Sequence, residues 1–556
     1  MICSDKWVVQ LVVDQCKAHE IAHWVFSPGS RNAPFSITVD SDSYFHTTVI
    51  HDERSAAFFA LGMAERLNKP VVLCCTSGSA PANYLPAITE AFYRNVPLLV
   101  VSADRPQAWT DQGDGQTIRQ LNLFKDFTHR MVHLEDRPMN DQTLWQYQRE
   151  TALLFDRLST EGPAHINVGL SEPLYQTSEK DRTYDRSIAI IQNSTPPKHV
   201  IGDLFRLISG KNVMVLCGQL PEDLALLQAL ELFAASSNVV VLTENTSNLF
   251  SSRFNACIDR SLNKIDSNKE QDFMPEVLIS IGGAVVSKRI KSFLRRSTLT
   301  AHIRVGNAFP EMDTYQQLSH SFICSPSSFF DALNKQGTVQ STVNYYGKWK
   351  QLDYEIKDAM PLFKPTSDVL TDFHIYQAFF ELVPEGTTIH MANSSVIRYC
   401  QLFDPIKGCH YFANRGTSGI DGSTSTALGY AYMDEPLNVL ITGDVSFLYD
   451  SNALRLRALA PNLKIILINN QGGGIFRIIE GAKSSQQLEQ YFEAQHSSDG
   501  KLAAHAGWSY KVCSSVDAIE EALQEFLYSP AVNFIEFKTD TLLSPQTLKD
   551  FFTFVR

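Results

Sequence analysis

Short strand-like runs at 24–26, 47–50, 71–75 and 98–101 alternate with stretches whose apolar positions recur at helical spacing. A helix opens at Trp7 and runs through Val8, Val9, Leu11, Val12 and Val13. A second places Ala56, Ala57, Ala60, Met63, Ala64 and Leu67 on one face, and a third passes through Tyr84, Ile88 and Ala91. Such alternation predicts βαβ units, hence a parallel sheet. The pattern returns with runs at 213–217, 239–242 and 277–281 and a helix over 222–233. It returns again with a helix through Ile375, Phe379 and Leu382 and runs at 388–391, 437–441 and 465–468. Polar stretches at 176–200, ending in Pro196-Pro197, and at 336–368, with Pro361 and Pro365, read as connections. The expectation is an α/β protein of three domains, each a parallel sheet flanked by helices, at 1–178, 195–340 and 366–556.

Length agrees, since 556 residues make about three domains of 100–200 residues each. The net charge of −12 argues against a nucleic-acid partner, which calls for a basic face. It leaves room for anionic ligands, because a local arginine cluster outweighs distant charge beyond a Debye length of about 8 Å. Ten cysteines show neither C-x-x-C pairs nor metal-ligand spacing with histidine and read as buried thiols of a reducing compartment. Asp5, Lys6 and Asp14 stand where a secretory leader would be apolar, and no run approaches the roughly 18 apolar residues of a membrane span. A cytoplasmic location without a membrane span is expected.

Chemistry concentrates between Gly443 and Phe476. One apolar run ends at Gly443-Asp444-Val445-Ser446, and the next ends at Asn469-Asn470-Gln471-Gly472-Gly473-Gly474. Each half alone is an ordinary turn. Together, 26 residues apart from Asp444 to Asn470, they fit one strand-helix-strand crossover that brings a carboxylate and an amide to one sheet edge. Asp444, the amide oxygen of Asn470 and a carbonyl in the turn at Gly472 form the oxygen set that Mg²⁺ shares with phosphates.

This spacing resembles the thiamine-diphosphate signature. The usual glycine after Gly-Asp is Val445 here, but Gly443-Asp444-Val445-Ser446-x-x-Tyr449-Asp450-x-Asn452-Ala453-Leu454 is similar to the 2-succinyl-5-enolpyruvyl-6-hydroxy-3-cyclohexene-1-carboxylate synthase family of menaquinone biosynthesis. The same family is matched by Pro28-Gly29-Ser30-Arg31, His51-Asp52-Glu53-Arg54, Asp104-Arg105-Pro106, Gly115-Gln116-Thr117, Ser287-Lys288-Arg289 and the run 414–422. These motifs stand in all three sections of the chain and in the family's order.

The resemblance implies thiamine diphosphate with Mg²⁺ or Mn²⁺ at Asp444, Asn470 and Gly472. It places Glu53, Thr76, Gly78, Asn393, Ser394, Gly443 and Ser446 at the cofactor, and Ile420 as the wedge that bends it, with Ile475 and Phe476 walling the pocket. Asn393-Ser394 also reads as a helix N-cap. Glu53 falls in a first helical turn, where a carboxylate is ordinarily just favourable with the helix dipole. The family instead has such a glutamate hold a proton on the cofactor's pyrimidine ring. Ser30, Arg31, Arg105, Gln116, Lys288, Arg398 and Arg415 are implied to face substrate. The substrates would be 2-oxoglutarate, which is decarboxylated, and isochorismate, which receives the succinyl unit by 1,4-addition; both are dicarboxylates, and bidentate arginine suits them. A homodimer or dimer of dimers with sites between subunits is implied as well. An acetolactate-synthase-like carboligase or decarboxylase would keep Glu53, Asp444 and Asn470 without requiring so many arginines. A non-catalytic scaffold would have no need of those three. In the middle section no Gly-x-Gly-x-x-Gly opens a helix, so nothing there asks for a dinucleotide.

Overall fold

The computed structural model describes residues 2–190, 196–338, 344–479, 481–494 and 499–556. The expected boundaries at 195 and 340 lie outside these described residues. The chain divides into two compact units. One comprises Met1–Gln192, Gly416–Glu435 and Tyr449–Leu463, and the other Asn193–Arg415, Pro436–Leu448 and Lys464–Arg556.

In the first unit the strands are β1 (Ile2–Ser4), β2 (His23–Ser27), β3 (His46–Val49), β4 (Val71–Cys75), β5 (Leu98–Asp104), β6 (Arg130–Glu135), β7 (Ala164–Gly169) and β8 (Thr177–Glu179). Six of them form a sheet in the order β3-β2-β4-β5-β7-β6, every pairing parallel. Every residue of β4, β5 and β7 is buried, and β4 and the first four residues of β5 accordingly read as unbroken apolar runs rather than alternating ones. β1 and β8 pair antiparallel. The stretch expected as a linker from 176 therefore begins as structure: β8 is paired, and the Tyr184 amide donates to Asp14 at 2.9 Å while Gln15 donates to the Tyr184 carbonyl at 2.8 Å. Polar composition hid this because β8 pairs through its backbone and the buried Tyr184 stands among polar neighbours.

The helix Ser423–Tyr432 belongs to this unit and packs on the helix Glu53–Leu67. Their contact depends on two glycines. A Cβ on Gly62 would stand 2.0 Å from the Thr426 carbonyl oxygen, and one on Gly429 would stand 1.9 Å from that of Phe59. Gly429→Val should lower unfolding stability by about 3 kcal/mol, seen as an earlier denaturant midpoint at unchanged slope. An unchanged midpoint would mean that the two helices separate at little cost.

The second unit carries two parallel sheets. The first holds β9 (Val213–Cys217), β10 (Val239–Leu242), β11 (Val277–Ile281), β12 (Ala301–Val305) and β13 (Leu318–Phe322), in the order β10-β9-β11-β12-β13. The second holds β14 (Thr388–Met391), β15 (His410–Phe412), β16 (Asn438–Gly443), β17 (Leu463–Asn469), β18 (Tyr510–Cys513) and β19 (Phe534–Lys538), in the order β15-β14-β16-β17-β19-β18. The connection expected over 336–368 contains the helix Tyr345–Ala359. Its buried Tyr345, Trp349 and Ile356 recur at helical spacing, a stripe masked by the polar residues between them, and Tyr345 and Trp349 pack on the first of these sheets.

Numbered within itself, the six-stranded sheet of each unit follows the same order, 2-1-3-4-6-5. Strand order reverses beside the first strand, between β2 and β4 in one unit and between β14 and β16 in the other. Open α/β sheets bind ligands at such points, beyond the carboxyl ends of the strands. No helix among the described residues is long and apolar enough to cross a membrane.

Candidate functional site

At the reversal point of the second unit, β16 ends in Gly443 and the helix Asp444–Tyr449 begins at once. Asp444 is only 3% exposed. Its Oδ2 accepts the Gly472 N–H at 2.7 Å, and its Oδ1 accepts the Val445 N–H at 2.8 Å. Burial lifts the Asp444 carboxyl above the ordinary range, and these two N–H groups oppose the lift by stabilising the anion. Asn470, directly after the adjacent strand β17, accepts the Gly474 N–H on Oδ1 at 3.1 Å and donates from Nδ2 to Asp372 at 3.2 Å. Gly472 and Gly473 adopt φ of +142° and +83°, values that a side chain opposes. The expected carboxylate and glycine-rich turn are therefore in direct contact.

These residues fit a metal diphosphate. A Cβ on Gly443 would meet nothing within 4 Å, so there is room against the strand end. Among the described residues no three His, Cys, Asp or Glu side chains gather as a metal-ligand group. A cation at this edge would draw on one carboxylate, one amide oxygen and a backbone carbonyl, with phosphate oxygens completing the shell; that all-oxygen set suits a hard divalent ion. Ser446 is buried two residues along the same helix.

Across the reversal point, β14 leads to Asn393 and Ser394. Asn393 accepts from Arg415 Nη1 at 2.8 Å and donates to the Asn414 carbonyl at 2.6 Å, so the structure joins two of the expected residues. Ser394 stands at the N-cap of the helix Ser395–Cys400, but at φ +74° and with no capping bond from its side chain. The expected Asn-Ser cap is corrected in that respect: Ser394 takes a positive-φ backbone conformation and its side chain accepts no bond from the helix amides. Arg398 lies one turn in and donates to the Ser394 carbonyl.

Arg398 and Lys288 line one cavity of about 1040 Å³, wholly within the second unit. Lys288 is the first residue of its helix, which Ser287 caps through the Ile290 N–H at 3.1 Å. Arg289 of the Lys-Arg motif and Asp259, the one carboxylate among the described lining residues, share this cavity, and so do two cations that sequence reasoning missed, Arg477 and Lys549. Their signal lay in position rather than motif, since Lys549 comes from the terminal helix Leu543–Phe554. Ile475 and Phe476 do not line it. The next three residues, Arg477 to Ile479, do, while Phe476 packs against Phe492 at 5.6 Å between ring centroids.

Glu244, 2% exposed, organises this region. It accepts the Val286 and Ser287 N–H groups at 2.7 and 2.8 Å, immediately before Lys288. Neighbouring Asn245 donates to the Cys400 carbonyl at 2.9 Å, at the end of Arg398's helix. Burial pushes the Glu244 pKa up to about 7, against the pull of those two N–H groups.

In the first unit, β2 leads into Ser27-Pro28-Gly29-Ser30-Arg31 and β4 into Thr76-Ser77-Gly78. Gly29 lets these turns meet, since a Cβ there would lie 2.4 Å from Thr76 Cβ. Arg31 is buried, donates to the Leu170 carbonyl at 3.0 Å and pairs with Glu172 at 3.0 Å. Burial and the nearby Arg105 charge both lower its pKa, the mark of cations crowded together. Arg105 donates to Ser77 Oγ at 2.8 Å and to the Gln116 carbonyl at 3.0 Å, and Gly78 opens the helix Ser79–Arg94 at φ +86°. Ser30 and the Gln116 side chain are exposed. Ile420 is half-buried in the loop before the helix Ser423–Tyr432.

Glu53 occupies the first position of its helix, but the cap is Asp52, whose Oδ1 accepts the Ser55 N–H at 3.1 Å. Glu53 is half-buried, with Asn83 Nδ2 at 3.4 Å. The motif residues after Gly443 explain themselves here. Asn452 donates to Asp52, Arg54 donates to the Tyr449 carbonyl at 2.7 Å, and Asp450 accepts from the Ser425 N–H and hydroxyl at 2.7 and 2.8 Å. Tyr449 and Asn452 thus brace the turn that carries Glu53, while Asp450 holds the start of the helix Ser423–Tyr432.

Residues 6–123 match the family described as thiamine pyrophosphate enzyme, N-terminal TPP binding domain. The chain is 39% identical over 554 residues, 98% of each chain, to the 2-succinyl-5-enolpyruvyl-6-hydroxy-3-cyclohexene-1-carboxylate synthase of Flavobacterium johnsoniae. It is 37% identical, again over 98% of both chains, to the protein of that name from Flavobacterium psychrophilum. To that from Desulfotalea psychrophila it is 36% identical over 92% of this chain and 94% of the other. With relatives this similar over nearly its whole length, the chain belongs to the 2-succinyl-5-enolpyruvyl-6-hydroxy-3-cyclohexene-1-carboxylate synthase family of thiamine-diphosphate-dependent enzymes.

Proposed function

We propose that this protein decarboxylates 2-oxoglutarate and adds the succinyl unit to isochorismate, giving 2-succinyl-5-enolpyruvyl-6-hydroxy-3-cyclohexene-1-carboxylate and CO₂ in menaquinone biosynthesis. The carrying observation is 39% identity over 98% of both chains to a protein of that name. The shared name of the relatives favours this reading over an acetolactate-synthase-like carboligase.

Thiamine diphosphate, when bound, supplies the acidic thiazolium carbon and the electron sink that decarboxylation of a 2-oxo acid requires. Glu53 holds a proton at the pyrimidine nitrogen. Asp444, the Asn470 amide oxygen and the Gly472 carbonyl hold Mg²⁺ or Mn²⁺, and Gly443, Ser446, Asn393, Ser394, Thr76, Gly78, Ile420, Ile475 and Phe476 shape the cofactor's bed. The contact of Asp444 with Gly472 and the room above Gly443 support this assignment. Ser30, Arg31, Arg105, Gln116, Lys288, Arg398 and Arg415 take the substrate carboxylates. Two dicarboxylate substrates leave several anionic groups to match, and the cation-rich cavity that Lys288 and Arg398 line supports this reading. The domains are taken as 1–178, 195–340 and 366–556, the assembly as a homodimer or dimer of dimers with sites between subunits, and the location as cytoplasmic.

The test is product analysis with thiamine diphosphate, Mg²⁺, isochorismate and either 2-oxoglutarate or pyruvate. CO₂ and a succinyl-cyclohexene adduct are expected with 2-oxoglutarate alone. Turnover of pyruvate instead would overturn the substrate assignment.

A further inference from the structure

Asp372 is a buried carboxylate, 2% exposed, at the start of the helix Asp372–Leu382. It accepts from Thr539 Oγ1 at 2.6 Å, Ser544 Oγ at 3.2 Å and Asn470 Nδ2 at 3.2 Å, all neutral donors. Burying a charge without a cation is costly and is tolerated where the charge does something else. Here its position in the first helical turn and its three donors offset part of that cost.

The consequence falls on Asn470. An amide side chain has an oxygen end and a nitrogen end of nearly equal shape, so its orientation is set by its partners. An ionised carboxylate only accepts, which turns the Asn470 nitrogen toward Asp372. The Gly474 N–H only donates, and at 3.1 Å it selects the oxygen at the other end. Both constraints agree, and the Thr541 hydroxyl also pins the Asn470 backbone carbonyl. Oδ1 keeps a second lone pair after accepting from Gly474.

We propose that Asp372 is a positioning residue for the metal diphosphate: it holds the Asn470 amide with its oxygen toward the cation and its nitrogen away. Partners standing behind ligands in this way fix their orientation, and replacing them weakens metal binding by about 10- to 100-fold. In Asp372→Asn the new amide can donate to Asn470 Oδ1, turning a positive N–H edge toward the cation. The proposal rests on the reading of Asn470 as a ligand, and the experiment separates the two.

Mn²⁺ is titrated into the full-length protein with saturating thiamine diphosphate, and free Mn²⁺ is read by electron paramagnetic resonance. Asp372→Asn should bind Mn²⁺ about tenfold or more weakly than the wild type; a smaller loss overturns the proposal. The exchanged pair, Asp372→Asn with Asn470→Asp, supplies a carboxylate that needs no amide to be held. It should bind within roughly threefold of the wild type, and failure to recover would also overturn the proposal, even if the single variant does not fold. Asn470→Ala is the separating control. If it binds Mn²⁺ like the wild type, the ligand reading itself fails and the proposal falls with it; if it binds weakly while Asp372→Asn does not, only the positioning role is lost.

Discussion

Glu53→Gln should bind thiamine diphosphate as the wild type does and lose turnover by about 10²- to 10⁴-fold, the range expected when one proton-transferring group is removed. The structure makes this a clean test. The helix that begins at Glu53 is capped by Asp52, and Asn452 and the Tyr449 carbonyl hold the residues on either side. Replacing the carboxyl by an amide of the same shape therefore leaves the turn intact. Calorimetric titration of cofactor and the steady-state rate of CO₂ release measure the two effects separately. A kcat within threefold of wild type would remove Glu53 from the proton path. Loss of cofactor affinity together with rate would make it a binding residue instead.

The second large effect is expected at Asp444. Asp444→Asn leaves an oxygen able to accept one of the two N–H groups that the carboxylate now satisfies, those of Gly472 and Val445, and leaves the other facing an amide nitrogen. The charge that would meet the metal is lost as well. Because replacing a residue behind a ligand already costs 10- to 100-fold in metal affinity, losing the ligand's charge should weaken Mg²⁺-dependent cofactor binding by at least about 100-fold. The turn at 471–474 should loosen too, since the Gly472 amide loses its anion. Titration of cofactor at fixed Mg²⁺ reads the first effect, and amide hydrogen exchange at Gly472 the second. Unchanged affinity would move the metal elsewhere.

Much of the architecture was readable from the order of residues. β4, β9, β10 and β11 occupy the apolar runs that marked them. A strand buried on both faces is apolar along most of its length, so the run and the strand coincide. The turn at Gly472-Gly473 was equally legible, because φ above zero excludes most side chains. The helix Tyr345–Ala359 and the strand β8 were not. In the first, three large buried side chains are outnumbered by polar ones; in the second, pairing runs through the backbone, which carries no side-chain signature. Among the cations, those in motifs were found, whereas Lys549 has no local pattern and is distinguished only by facing the same cavity as Lys288 and Arg398.

Local chemistry along the chain thus settled the class of fold, the parallel sheets and the segments that carry Glu53, Asp444 and Asn470, since periodicity, turn geometry and family motifs are all properties of neighbouring residues. The pairing of distant groups was decided in three dimensions. Asp372 meets Asn470 across 98 residues, the two helix glycines meet only because their helices cross, and Asn452 steadies the turn beside Glu53 across 400 residues. Such contacts follow from strand order and from which surfaces pack together, and no window of neighbouring residues encodes either.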